Sequence, residues 1–323
     1  MGVKNPLHPV YPCKFPMRIC SFLPSGTEIV YALGLGDSLH AVSHECDYPK
    51  AALAKPNVVR SRFNADNMSS QEIDRVVTEM YQRGERIYEV DEDVLRDAAP
   101  DLVLTQELCD VCAVSYEDVR HAASRLAYPP NVVSLDPASI GNMLDDIQMV
   151  GDLCGVPDAA TAFVSELNER IDTVRSRASA ALSAPRVACI EWLEPPIVAG
   201  HWIPQMVELA GGVDALAKPG EPSRRITMDE LAASEPDVLV LMPCGMDAER
   251  ARDEFDALDN LADWRKLPAV AGGRAYFVDS GSYFSRSGPR LVEGLEQMAY
   301  MAHPDTFEKP VSVIAIQQDK VSP

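Results

Sequence analysis

Residues 158–182, DAATAFVSELNERIDTVRSRASAAL, divide this chain into two parts and decide its fold. The stretch contains neither glycine nor proline, and its apolar residues recur at the spacing of an amphipathic helix. These residues are Ala162, Phe163, Leu167, Ile171 and Val174. At a rise of 1.5 Å per residue, the helix would be roughly 37 Å long. A helix of this length predicts a rigid connection between two units of structure.

Before this helix, short apolar runs alternate with helical patterns. The predicted strands are 17–23, 41–43, 86–90, 101–105 and 131–135. The predicted helices are 24–33, 70–82, 93–99 and 140–153. Such alternation is typical of a parallel sheet covered by helices, with ligand-binding loops at the carboxyl ends of its strands.

The alternation resumes after the helix, with strands predicted at 186–192, 238–242 and 275–278 and helices at 202–210, 247–255 and 289–302. A weak internal repeat supports a second unit: Asp93 stands seven residues before Pro100, and Asp229 stands seven before Pro236. We therefore predict an N-terminal extension (1–16), an α/β lobe (17–156), a connecting helix (157–183), a second α/β lobe (184–303) and a flexible tail (304–323).

The composition excludes several classes of protein. The chain of 323 residues is 46% hydrophobic and 24% charged, which is typical of a soluble globular protein. Its 29 basic and 49 acidic side chains give a net charge of −20, which disfavours binding to nucleic acid or to an anionic membrane surface. No apolar run is long enough for membrane insertion.

The first 16 residues carry four prolines and no apolar run, so they do not resemble a secretory leader. We therefore expect a cytoplasmic protein, or a periplasmic or extracellular one if a leader has been removed. The eight cysteines are scattered along a chain that is large enough to fold without disulfides, which favours reduced thiols.

Polar and aromatic side chains follow the predicted strands. Residues 24–28 begin a helix whose hydroxyls and N–H groups could hold an anion or an amide, although an ordinary helix cap is the alternative. Tryptophan and tyrosine faces stack on flat ligands, and arginines bind carboxylate, amide or phosphate groups. The candidate ligand-binding residues are Ser25, Tyr48, Arg60, Arg62, Trp192, His201, Trp202, Tyr283, Phe284 and Arg286.

Cys109 and Cys112 form a C-x-x-C pair that indicates a thiol redox pair or half of a zinc site. His44 and Cys46 could complete a metal site if the two loops converge, and a zinc- or thiol-dependent enzyme or sensor is the corresponding function. The alternative is a pair of thiols that line a pocket. No nucleophile-elbow, Walker or dinucleotide-binding motif occurs in the sequence, so a binding cleft without a catalytic cofactor is favoured over an enzyme.

Three groups of motifs resemble one known family. They are PSGTE at 24–28 with VSHECDYP at 42–49, PP at 195–196 with MVELAGG at 206–212, and YFSRSGPR at 283–290. Together they are similar to the cobalamin-binding members of the helical-backbone substrate-binding proteins, the receptors of vitamin, haem and siderophore ABC importers. The resemblance extends from about residue 18 to residue 303.

The resemblance implies two Rossmann-like α/β lobes that are joined by one long helix and clamp a ligand between them. It implies a corrinoid ligand, cobalamin or a relative of it, gripped by Tyr48, Trp192 and Phe284 with Trp202 close by. Haem and iron–siderophore binding on the same fold are the alternatives. His44 and His201 are candidate axial ligands of cobalt, although each could instead form a hydrogen bond to a corrin amide or a loop carbonyl.

The resemblance also implies docking on an ABC permease through one acidic residue in each lobe. Asp93 and Asp229 occupy these positions, where the family usually has Glu. We expect the chain itself to be a monomer.

Overall fold

The computed structural model describes residues 17–65, 68–107 and 114–316. Its strands are β1 (Ile19–Ser21), β2 (Leu39–Ser43), β3 (Asn57–Ser61), β4 (Tyr88–Val90), β5 (Leu102–Thr105), β6 (Asn131–Ser134), β7 (Arg186–Leu193), β8 (Pro196–Val198), β9 (Val213–Asp214), β10 (Arg224–Arg225), β11 (Val238–Leu241), β12 (Ala275–Phe277) and β13 (Ile314–Ala315). Its helices are α1 (Pro24–Ala32), α2 (Ser70–Gln82), α3 (Glu92–Ala98), α4 (Tyr116–Ser124), α5 (Ile140–Leu153), α6 (Pro157–Ala178), α7 (Ile203–Leu209), α8 (Met228–Ala233), α9 (Ala248–Asp256), α10 (Leu261–Arg265), α11 (Pro268–Ala271), α12 (Ser280–Tyr283) and α13 (Leu291–Ala302).

These elements form two sheets. The first has the order β4-β3-β2-β1-β5-β6 and is parallel except for β4. The second has the order β10-β8-β7-β11-β12-β13, with β9 beside β7; here β8, β10 and β13 run antiparallel to their neighbours. The prediction of parallel sheets therefore holds for the central strands but is wrong toward the edges, where β4, β8, β10 and β13 run antiparallel to their neighbours.

Helix α6 connects the two lobes, as the sequence predicted, and packs against α5 of the first lobe and α13 of the second. Arg170 of α6 donates to both carboxylate oxygens of Glu296 at 3.0 and 2.9 Å and to Glu293 at 3.3 Å. One apolar core runs from α1 and α5 through α6 to α7 and α13. The helix is thus part of the core of both lobes.

The internal repeat corresponds to a shared structure at the base of each lobe. Arg18 Nε donates to the carbonyl of Ala98 at 2.7 Å, and its backbone N–H donates to Asp101 at 2.9 Å. In the second lobe, Arg186 makes the same contacts with Ser234 and Asp237, at 3.1 and 2.8 Å. Each arginine therefore binds the end of the helix that precedes the Pro-Asp strand.

The C-terminal tail differs from the prediction. Residues 304–316 are not without structure, because β13 pairs with β12 and Val313 is buried. Helix α6 also ends at Ala178, earlier than predicted, because the chain makes turns through Ala180 and Ala181 before β7.

Candidate functional site

The carboxyl ends of the parallel strands in the first lobe all carry hydroxyl residues, at Ser21, Ser43, Ser61, Thr105 and Ser134. Two of these hydroxyls form hydrogen bonds to the backbone two residues further on, where the chain leaves the strand. Ser21 Oγ donates to the carbonyl of Leu23 at 2.8 Å, and Ser61 Oγ donates to the carbonyl of Phe63 at 2.7 Å. The loops that leave this edge of the sheet meet loops of the second lobe. The candidate site is the cleft between these two sets of loops.

Arg286 makes the first contact across the cleft. Its Nη1 donates to Asp47 Oδ1 at 2.5 Å, and its Nη2 donates to Asp47 Oδ2 at 3.1 Å and to the carbonyl of Glu45 at 3.0 Å. The sequence predicted Arg286 as a ligand-binding residue, and the structure shows its guanidinium bound to a carboxylate of the same chain. Burial raises the pKa of the neighbouring Glu45 carboxyl.

Arg290 makes the second contact. It donates to both oxygens of Glu28, at 3.0 and 2.6 Å, and the Glu28 side chain is 3% exposed. The Tyr48 ring lies 4.2 Å from the Arg290 guanidinium, while half of Tyr48 remains exposed. The Arg286 and Arg290 contacts join the loop at 285–290 to the first lobe.

Ser25 lies beneath this loop. The residue is 3% exposed, and a Cβ atom at Gly288 would lie 3.3 Å from Ser25 Cα. The N-terminus of α1 is therefore covered by the second lobe. Direct contact between Ser25 and a ligand, as the sequence predicted, does not agree with this closed arrangement.

Helix α2 reaches the second lobe on the other side of the cleft. The backbone N–H and the hydroxyl of Ser70 both donate to Glu254 at 2.9 Å, and Arg225 donates to Asp74 at 2.6 Å. A groove of about 720 Å³, open to solvent, lies between this helix and the second lobe. The sequence predicted the helix with these bounds but not its contacts with the other lobe.

The aromatic candidates fall into two groups. Tyr48, Tyr283 and Trp192 keep part of their surface exposed, and the buried Trp192 Nε1 lacks a hydrogen-bond partner among the described residues. Trp202 and Phe284 belong to the apolar core, and Trp202 Nε1 donates to the Phe284 carbonyl at 2.9 Å. The prediction that these two rings stack on a ligand is therefore corrected, because neither ring presents a free face.

The two histidines lie in different surroundings. His44 is exposed, and its Nδ1 lies 3.1 Å from the carbonyl of Val59, so this nitrogen carries the proton. This is the loop-carbonyl contact that the sequence analysis gave as the alternative to cobalt ligation. His201 adopts a left-handed backbone with φ 54°, and burial lowers the pKa of its imidazole.

Cys46 does not converge with His44. The thiol is buried, Thr27 Oγ1 donates to its sulfur at 3.1 Å, and burial raises its pKa to about 12. No group of three or more His, Cys, Asp or Glu side chains in residues 17–65, 68–107 and 114–316 could hold a metal ion. Cys109 and Cys112 lie outside the described residues.

Arg60 and Arg62 belong to β3 and the residue after it, a strand that the sequence analysis did not predict. Arg60 pairs with Asp91 at 2.6 Å, and Asp91 lies opposite Val58, toward the amino end of the strand. The prediction that Arg60 faces a ligand is therefore not supported by its orientation. Arg62 forms an exposed ion pair with Glu89 at 3.2 Å.

Asp93 and Asp229 occupy equivalent places in the two lobes. Each lies in the first turn of the helix before a Pro-Asp strand, and each is exposed. Asp93 pairs with Arg96 on the same helix at 2.7 Å. Both carboxylates are thus accessible at the base of their lobes.

Comparison with known proteins identifies this architecture. The family described as "Periplasmic binding protein" matches residues 19–281. An uncharacterized ABC transporter substrate-binding lipoprotein of Bacillus subtilis is 25% identical over 301 residues, which cover 92% of this chain and 83% of that protein. A vitamin B12-binding protein of Vibrio cholerae is 23% identical and covers 87% of each chain.

Solved structures show the same fold. A periplasmic heme-binding protein of Pseudomonas aeruginosa superposes with a TM-score of 0.71 at 19% identity, covering 94% of this chain and 99% of that one. The periplasmic vitamin B12-binding protein of Vibrio cholerae has a TM-score of 0.63 at 20% identity, covering 88% and 96%. Because these proteins are named as periplasmic or as a lipoprotein, the comparisons do not support the cytoplasmic location predicted from the sequence. The described part of the chain has no helix that is long and apolar enough to cross a bilayer.

Proposed function

Because this chain belongs to the periplasmic binding protein family, we propose that it is the substrate-binding component of an ABC importer, or a relative of one, and that it holds a corrinoid between its lobes. The observation that carries this proposal is the two-lobed architecture, in which loops from both sheets meet across one cleft. The names of the B12-binding relatives support a corrinoid as the ligand.

The partly exposed side chains of the cleft suit such a ligand. The rings of Tyr48 and Tyr283 lie beside Arg290, with their centroids 4.2 and 5.7 Å from its guanidinium, and part of the Trp192 side chain is also exposed. A corrin carries amide side chains around a flat ring, so it can use both stacking and hydrogen bonding. The ligand then needs no catalytic group of the protein, which acts as a receptor rather than as an enzyme.

Haem is the second candidate ligand, because several solved structures of this fold are named as heme-binding proteins. An iron–siderophore ligand was the other alternative from the sequence. Isothermal titration with cyanocobalamin, hemin and a ferric hydroxamate siderophore separates the three. We expect heat only with cyanocobalamin; heat only with one of the other two would contradict the corrinoid assignment and leave the receptor function standing.

The exposed Asp93 and Asp229 are the proposed contacts with a permease. They occupy equivalent positions in the two lobes, each in the first turn of the helix before a Pro-Asp strand, so each lobe offers one carboxylate to a permease. Reversal of both charges, Asp93→Lys with Asp229→Lys, should abolish ligand uptake into cells or vesicles that contain the cognate permease, while ligand affinity stays within threefold. Uptake at the wild-type rate would contradict this role.

A further inference from the structure

Both arginines that cross the cleft are held by carboxylates of the first lobe. Arg286 makes two bonds to Asp47, and Arg290 makes two bonds to Glu28. Paired bonds of this kind are the strongest that a guanidinium forms with a carboxylate. Neither cation is therefore available to an anionic ligand as long as these pairs persist.

The pairs differ in how much they are exposed. Glu28 and Arg290 are 3% and 13% exposed, whereas Asp47 is 57% exposed and Arg286 is 17% exposed. A ligand carboxylate that took Arg290 would leave the Glu28 carboxylate buried without its partner, which is strongly unfavourable. The more exposed Asp47 is the residue whose replacement can release an arginine without disturbing the core.

The neighbouring groups add negative charge. Glu45 and Asp47 lie two residues apart on the first lobe, and the Asp47 carboxylate interacts unfavourably with that of Glu45. A second carboxylate that enters this region meets like charges at close range, and like charges repel strongly where water is partly excluded. Amide groups carry no charge and escape this repulsion.

We propose that Asp47 and Glu28 are specificity-determining residues: by holding Arg286 and Arg290 they make the cleft select a tetrapyrrole-like ligand that carries amides and reject one that carries free carboxylates. The inference rests on the proposed function, because it assumes that the ligand lies in this cleft. It identifies the ligand class as corrinoid rather than haem, since the haem periphery bears two propionates.

The test compares cyanocobalamin and hemin, titrated separately into the wild-type protein and into Asp47→Asn. The wild type should bind cyanocobalamin at least tenfold more tightly than hemin. Asp47→Asn removes the negative charge that pairs with Arg286 and should raise hemin affinity at least tenfold, so that the preference for cyanocobalamin over hemin falls at least tenfold. Asp47→Glu keeps the carboxylate and should restore the wild-type preference, which a purely structural effect of the substitution would not do.

Asp172→Asn is the matched control, because it also removes one carboxylate from an Asp–Arg pair, the one with Arg175 on the exposed side of α6. It changes the net charge equally and should leave both affinities as in the wild type. The inference would be overturned if the wild type bound hemin more tightly than cyanocobalamin, or if Asp47→Asn and Asp172→Asn had equal hemin affinity. Either result would leave the receptor function in place. Binding of neither ligand by the wild type would contradict the proposed function itself.

Discussion

Cys46 and Cys244 follow strands of opposite lobes, β2 and β11, but their thiols differ in accessibility. Cys46 is 2% exposed with a pKa raised to about 12 by burial, whereas Cys244 is exposed. Since the thiolate is the reactive form, native protein at pH 8 should react with iodoacetamide at Cys244 and remain unmodified at Cys46. Peptide mass spectrometry of the alkylated protein measures this directly.

Cys20 and Cys189 are internal controls for the alkylation, because both are buried and burial raises the pKa of both thiols. Cys20, Cys46 and Cys189 should all react once the protein is unfolded in guanidinium. Rapid modification of Cys46 in the native state would show that its thiol is available, and would reopen the metal or redox role that its position in the sequence indicated.

Asp146 of α5 is a carboxyl group whose environment disfavours ionisation. Burial, with smaller contributions from Asp136 and Asp145, raises its pKa to about 7, and its Oδ2 has no hydrogen-bond partner within the described part of the chain. The folded state therefore holds this proton more tightly than the unfolded state, so the contribution of Asp146 to stability is lost as the pH rises from about 4 to 7.

Asp146→Asn should remove this loss. At pH 8 we expect the variant to be more stable than the wild type by about 1–2 kcal/mol, a range reduced for partial solvent screening. At pH 4 the two should be nearly equal. Urea denaturation at both pH values measures the difference in unfolding free energy between the variant and the wild type. If this difference is the same at pH 8 as at pH 4, Asp146 is ionised in the folded protein without a free-energy cost.

At the level of secondary-structure elements, Arg18 and Arg186 fix the same junction in both lobes. Each guanidinium donates to a carbonyl at the end of the helix that precedes the Pro-Asp strand. The next residues of the chain, Ala99 and Glu235, have left-handed φ values of 40° and 43°. Replacement of either arginine by Ala leaves that helix carbonyl without its charged donor. Each variant should lose about 2 kcal/mol of unfolding free energy, measured by urea denaturation.

The control for this prediction is Arg175→Ala. Arg175 forms an exposed pair with Asp172 within α6, and exposed pairs contribute at most about 1 kcal/mol. Equal destabilisation by Arg18→Ala and Arg175→Ala would mean that the helix carbonyls are satisfied by water instead.

The elements that the sequence predicted well carry local signals. Helix α2 begins after a capping box of Ser69 and Glu72, and α5 begins after the capping hydroxyl of Ser139, so both helices have the predicted bounds. Strand β3 was missed because the charged Arg60 interrupts a short apolar run. Such signals are local, so they predict where an element begins and ends but not what it contacts.

The cleft was predicted less completely, for the same reason. The Ser70–Glu254 contact joins residues 184 positions apart, and no short pattern encodes it. The sequence also placed Trp202 and Phe284 beside cleft loops but could not show that both turn inward to the core. The loops themselves were found from their residue types, whereas the direction of each side chain depends on packing across the two lobes.

At the scale of the whole molecule, the lobes are held together by contacts on two sides of the cleft as well as by α6. Ser70 is the only residue of α2 that is fully buried, so this helix has little apolar packing of its own. Elements with few buried contacts open most easily, and their stability depends on the remaining polar bonds. The stability of α2 should therefore depend on Arg225 and Glu254, which belong to the other lobe.

Removal of both partners on the second lobe, by Arg225→Ala with Glu254→Ala, should accelerate amide hydrogen exchange in residues 70–82 about tenfold, the equivalent of roughly 1.4 kcal/mol. Exchange in α13, deep in the shared core, should not change. Arg224→Ala is the matched control, since the neighbouring Arg224 pairs with Glu230 inside its own lobe at 3.2 Å. If exchange in α2 is the same in the double variant and in Arg224→Ala, the helix is held by the first lobe alone. If it accelerates only in the double variant, a change in one lobe is transmitted to the other, as a receptor that clamps its ligand between the lobes requires.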